Sequence, residues 1–235
     1  MTQVRRHSRT ASQSVVSQVH TRRAYSDGRN GQLHLNTAYP SGGGFDERTA
    51  LVCLHPGAAT GVWFKGLLPE LGRDRSVYAP DLPAHGHSDP AIGTALSLSD
   101  HVAAIGDLLD SMRLRHVDLL GHELGALIAA DLAVARPEQV RRVVLIALPD
   151  TVAAPGAVPA AVRTPQLAAR AVAARLAAVK QPTLLLHPAD MPAGSKRPEA
   201  TLPQHSASAL AQRSEELYGT GVRELARVLR AFLDR

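Results

Sequence analysis

The 235-residue sequence predicts an α/β fold, a mostly parallel central sheet flanked by helices. Two observations carry the prediction. Short apolar runs alternate with longer helical stretches, which is the order of βαβ units. The inner runs are also nearly pure Val, Ile and Leu, as strands are when helices cover both faces of a sheet.

Taken along the chain, strands are expected at 32–38, 51–55, 76–79, 117–120, 142–147 and 183–186. The helices interleave with them at 62–71, 99–112, 123–135 and 221–233. Ser99, followed by His101 and Val102, reads as the cap and first turn of its helix, without the Glu of a capping box. The Ala/Pro/Arg-rich stretch between Pro149 and Pro182 departs from the alternation, and its second half reads as one amphipathic helix. No internal repeat of solenoid type is evident.

Composition narrows the function classes. With 45% hydrophobic and 20% charged residues the chain matches a globular protein. Its one cysteine, Cys53, excludes an intramolecular disulfide framework and a Cys-rich metal cluster, which fits a reducing, cytoplasmic setting. The Arg-rich, Lys-poor bias is the usage expected of a GC-rich bacterial genome. No apolar run reaches membrane-spanning length, so no membrane partner is expected. The net charge of +5 is concentrated in Arg5, Arg6, Arg9, Arg22 and Arg23, all ahead of the first acid, Asp27. Residues 1–23 therefore read as a disordered basic tail, and 24–235 as one nearly neutral domain with a reduced cap or linker at 150–180. A basic face for nucleic acid is not expected. The expected partner is a small-molecule substrate, and a homodimer is compatible with this reading.

The chemistry concentrates at strand ends. In VDLLGHELG, residues 117–125, an apolar strand runs through Gly121, His122, Glu123, Leu124 and Gly125 into a helix. That is the shape of a nucleophile elbow, whose central residue is strained and whose neighbours two positions away must be small. LVCLHPG at 51–57 is a buried strand ending in a turn. Its N–H at Ala58 or a neighbour such as Gly57, with the N–H of Leu124, would form an anion-stabilising pair. DLPAHGHSD at 81–89 is a polar loop directly after a strand.

These three segments, in this order, resemble the α/β-hydrolase superfamily over roughly residues 25–235. The resemblance implies an elbow nucleophile at position 123, where Ser is usual, Asp or Cys occasional, and this chain has Glu123. A serine-type mechanism through this turn is then closed. Pro56 stands where the family commonly has Gly, and in LLLHPADMP Met191 falls at the usual position of the catalytic acid. Asp190 is the nearest substitute, Asp150 another, and His205 in TLPQHSAS best matches the family histidine. The expected order of nucleophile position, acid and histidine is Glu123, Asp190, His205.

Three roles are open to Glu123: attack on carbon, acid–base catalysis without a covalent step, or none. The expectation is a Glu123/His205 acid–base pair acting on a small organic substrate in bacterial specialised metabolism, by non-serine hydrolysis, cyclisation, elimination or a lyase step. The rival is a non-catalytic binding or scaffold module. His55 and His122 are weighed as substrate contacts against hydrogen-bonded turn and packing residues, and Asp118 as a surface or edge residue. His85 and His87 with Asp81 and Asp89 lack a matching ligand elsewhere, so no metal is expected. The Gly42 to Gly44 run precedes no helix, and no cofactor is expected.

Overall fold

A computed structural model of the chain describes residues 18–42, 48–89, 96–148, 169–191 and 202–235. Eight strands form one sheet in the order β1-β2-β4-β3-β5-β6-β7-β8. The strands are β1 (Val19–Gly28), β2 (Gly31–Pro40), β3 (Arg48–Leu54), β4 (Arg75–Pro80), β5 (Val117–His122), β6 (Val140–Ile146), β7 (Thr183–His187) and β8 (His205–Ala209). β1 and β2 form an antiparallel hairpin, β2 lies antiparallel to β4, and every other pairing is parallel. The helices are α1 (Leu67–Leu71), α2 (Leu98–Ser111), α3 (Leu124–Ala135), α4 (Ala169–Ala177) and α5 (Val222–Leu233).

Two cores follow from the period of two along each inner strand. Val52, Leu54, Leu119, Val143 and Leu145 point to one face, against α2 and α3. Leu51, Cys53, Leu120, Val144 and Ile146 point to the other, where Leu67, Leu71, Leu225 and Leu229 of α1 and α5 cover them. Each fully buried Leu or Ile contributes about 1.5–3 kcal/mol. α3 is buried on nearly every side, as a helix without a polar face must be.

Four expectations change. Residues 19–23, assigned to the tail, begin β1, whose backbone pairs with β2 although its side chains are largely exposed. The helix expected at 62–71 divides into a 3₁₀ turn at Gly61–Phe64, capped by Thr60, and the short α1. The cap of α2 is Ser97, which exchanges side-chain and backbone hydrogen bonds with Asp100 in a capping box. Asp118 is no surface residue: it is fully buried and holds Arg141 at 2.7 Å and 3.0 Å. The amphipathic helix read before Pro182 is present as α4, while most of the segment expected as a reduced cap lies outside the described residues. Among the described residues no helix is long and apolar enough to cross a membrane.

Candidate active site

A single residue joins β5 to α3. Glu123 has φ 49° and ψ −110°, a left-handed conformation that strains any residue but glycine. Its N–H donates to Ile146 O at 3.0 Å, and its carbonyl accepts from Ala126 N–H at 3.0 Å. Bulk is excluded on both sides. A Cβ on Gly121 would lie 2.2 Å from Gly125 O, and one on Gly125 would lie 2.0 Å from Leu54 O. The second contact presses the start of α3 against the end of β3.

The Glu123 side chain caps nothing, and the residue is exposed. Desolvation by the surrounding protein raises its pKa, and the charge of Asp190 raises it further. Asp190 follows β7 on the same rim of the sheet, where its Oδ1 accepts from the Ser214 N–H at 2.9 Å and hydroxyl at 3.0 Å. Desolvation pushes the Asp190 pKa up, but these hydrogen bonds outweigh it and hold the pKa below the ordinary value. The pKa values of these two carboxyls on one rim are thus shifted in opposite directions.

His122 is buried beside them. Its Nδ1 lies 3.2 Å from Trp63 Nε1 and 3.1 Å from the Tyr218 hydroxyl. An indole N–H only donates, so Nδ1 accepts and the ring proton sits on Nε2. Burial pushes the His122 pKa down to about 4, so the ring is neutral at pH 7. Next to this aromatic group a cavity of about 510 Å³ is lined by Ala58, Thr60, Trp63, Glu215, Tyr218 and Gly219. Its size is that of a small-molecule pocket.

Glu123 and His122 adjoin at the β5–α3 turn, Asp190 lies near enough for its charge to raise the pKa of both, and the turn after β3 sits beside the start of α3. Ala58 is exposed at the cavity. Gly57 is buried, its carbonyl accepting from His85 Nε2 at 2.9 Å. The Leu124 N–H opens α3, where the first N–H groups of a helix have no intrahelical acceptor.

Two candidates fall elsewhere. His55 is wholly buried, with Nδ1 2.8 Å from Pro56 O and Nε2 accepting from Leu82 N–H at 2.9 Å, so it ties two loops together and faces no ligand. His205 opens β8 opposite Thr183, whereas the level of His122 runs through Ile146 and Leu186 to Ser208. Three residues along the strand and three strands across put it on the order of 17 Å from the Glu123 rim. Its Nδ1 contacts Leu202 O at 2.9 Å, and the Asp190 oxygen expected to orient it is taken by Ser214. This placement does not bring His205 to Glu123 as the expected acid–base pair, and among the described residues no hydrogen bond joins His205 to Asp190. Asp150 lies outside the described residues. Trp63 and Tyr218 were not read from the sequence; the one signal was that Trp63, the only tryptophan, follows the turn after β3.

Parallel strands, flanking helices and a strained residue at the β5–α3 turn define a class of protein. The chain belongs to the α/β hydrolase fold family, whose profile matches residues 49–213. Over 91 residues it is 33% identical to 2-hydroxy-6-oxo-2,4-heptadienoate hydrolase of Pseudomonas putida, covering 39% of this chain and 33% of that protein. Over 111 residues it is 32% identical to 2-hydroxymuconate semialdehyde hydrolase of a Pseudomonas species, covering 46% and 38%. The match thus spans well under half of either relative. Among solved structures, a thioesterase domain from the curacin biosynthetic pathway superposes with a TM-score of 0.72 at 17% identity, covering 90% of this chain and 99% of that one. A serine hydrolase from Cycloclasticus zankles superposes at 0.74 and 14% identity, covering 92% and 98%. At these identities the likeness concerns the fold alone.

Proposed function

We propose that the chain is an α/β-hydrolase-type enzyme acting on a small organic substrate, with Glu123 in the nucleophile's place as proton donor and acceptor. One observation carries the reading: Glu123 stands strained and uncapped at the β5–α3 turn with a raised pKa, beside an Asp190 whose pKa is lowered. In this scheme protonated Glu123 passes its proton to a departing oxygen as the C–O bond breaks, and regains one either from the water whose oxygen bonds the vacated carbon or from the adjacent carbon as a C=C bond forms. Asp190 keeps its charge and helps to hold the proton on Glu123. It takes the place that sequence reasoning gave to His205. The N–H groups of Leu124 and Ala58 stabilise the oxygen on which charge develops.

The two Pseudomonas relatives supply the first substrates to try, 2-hydroxy-6-oxo-2,4-heptadienoate and 2-hydroxymuconate semialdehyde. Activated esters complete the panel. Turnover that falls about 100-fold or more in Glu123→Gln, with the far-ultraviolet spectrum unchanged, supports the reading. Full turnover in that variant overturns it. The separation of His205 from Glu123 favours a second reading, a non-catalytic binding or scaffold module; binding of a panel compound without turnover by the unaltered protein would establish it.

A further inference from the structure

Two strands from β5, the fold gathers metal-ligating side chains that lie far apart in the sequence. We propose that His34, Asp81 and His87 form a site for one divalent transition-metal ion of the zinc class.

The donors come from β2, from the residue after β4, and from the loop beyond it. Antiparallel pairing puts Leu35 opposite Pro80, and the Asp81 N–H donates to His34 O at 2.9 Å. His34 Nδ1 lies 3.0 Å from Asp81 Oδ2, and His87 Nδ1 lies 3.7 Å from that same oxygen. One ligand atom from each residue falls within 4.8 Å of the other two. Ligand atoms around a tetrahedral zinc ion stand about 3.4 Å apart, a value bracketed by the two shorter separations. Only His87 must turn to close the site, and its side chain is 64% exposed and free to do so.

The inner two ligands are buried and held. Asp81 Oδ1 accepts from the Gly61 N–H at 2.7 Å, and Oδ2 accepts from the His87 N–H at 2.9 Å. Such outer hydrogen bonds fix a ligating carboxylate. His34 Nδ1 already faces this oxygen, so an ion would replace the proton between them. Two imidazoles and one carboxylate suit zinc better than calcium or magnesium, and His87 gives solvent access with room for a bound water. An occupied site would tie the β1–β2 hairpin to the loop whose Asp81 positions Gly61, two residues from Trp63 at the cavity wall. It is independent of the chemistry assigned to Glu123.

Zinc titrated into the metal-free full chain in a calorimeter tests the site. One saturable site is expected, together with a zinc-dependent rise in melting temperature. His87→Ala should weaken binding about tenfold or more and abolish that rise, while leaving the metal-free melting temperature unchanged. His34→Asn keeps a hydrogen-bond donor to Asp81 but no ligating lone pair on nitrogen, and should weaken binding likewise. With cobalt as the probe, visible ligand-field absorption should appear in the unaltered protein and vanish in His87→Ala. Absence of saturable zinc binding, or an affinity retained in His87→Ala, overturns the proposal.

Discussion

The carbonyl oxygen of Leu54, at the end of β3, occupies the space that any side chain on Gly125 would need: a Cβ there would sit 2.0 Å away. Both partners are backbone, so neither yields by rotating a side chain. Gly125→Ala is expected to cost about 3 kcal/mol, the upper end for overpacking, measured as a lowered urea midpoint. It should also displace the Leu124 N–H from the turn at Ala58 and reduce turnover beyond what the stability loss explains. A loss below about 1 kcal/mol would contradict so close an approach.

Glu123→Gln has an expected sign that changes with pH. The folded state raises the Glu123 pKa, so it holds that proton more tightly than the unfolded chain does. The resulting stability is complete below the unfolded value and is lost as pH rises through the folded value. Glutamine should therefore leave the urea midpoint near its original value at about pH 4 and raise it at about pH 8. A lowered midpoint at the higher pH would mean that ionised Glu123 is held by a favourable contact.

What the sequence disclosed depended on burial. β3, β5, β6 and β7 were legible because strands covered on both faces must be apolar throughout. β1 and the exposed segment HSASA of β8 carry no such pattern; backbone pairing at the sheet edges makes them strands. Glu123 was singled out because it directly follows the apolar strand β5 between Gly121 and Gly125, whereas Asp190, three residues beyond β7, was named only through the family resemblance. His205 was misplaced because its strand was not recognised, which left the end it occupies unknown. Trp63 and Tyr218 reach His122 across 59 and 96 residues, and His34 reaches Asp81 across 47, separations that no local pattern encodes.

Arg141→Ala should destabilise through the partner it leaves behind. Asp118 is fully buried, and its pKa is raised by desolvation despite the two bonds from Arg141. Without Arg141 a buried carboxylate has lost its main counter-charge, a loss of about 2–3 kcal/mol at neutral pH given that the Arg141 side chain is partly exposed. The penalty should shrink as the pH falls and Asp118 takes up a proton. Arg141→Ala with Asp118→Asn should recover part of the neutral-pH loss, and urea unfolding of the four species measures the coupling.

His55 makes the strongest claim about acid stability. Its Nε2 accepts from Leu82 N–H, so that nitrogen must stay unprotonated for the β3 turn and the Asp81 loop to remain joined. Burial pushes its pKa down to about 3, below the value of an exposed imidazole. Between about pH 6.5 and that value the unfolded chain binds the proton and the folded chain resists it, so stability is full above the range and drains away as the pH falls. His101 and His122, both pushed down to about 4 chiefly by burial, drain it in the same direction. His55→Gln should therefore be less stable at pH 7 by about 2 kcal/mol, through the disturbed Leu82 bond and a vacated volume. It should also lose stability less steeply between about pH 7 and about pH 5. Urea midpoints across that range measure both quantities, and an unchanged slope in the variant would show that His55 contributes nothing to the loss of stability in acid.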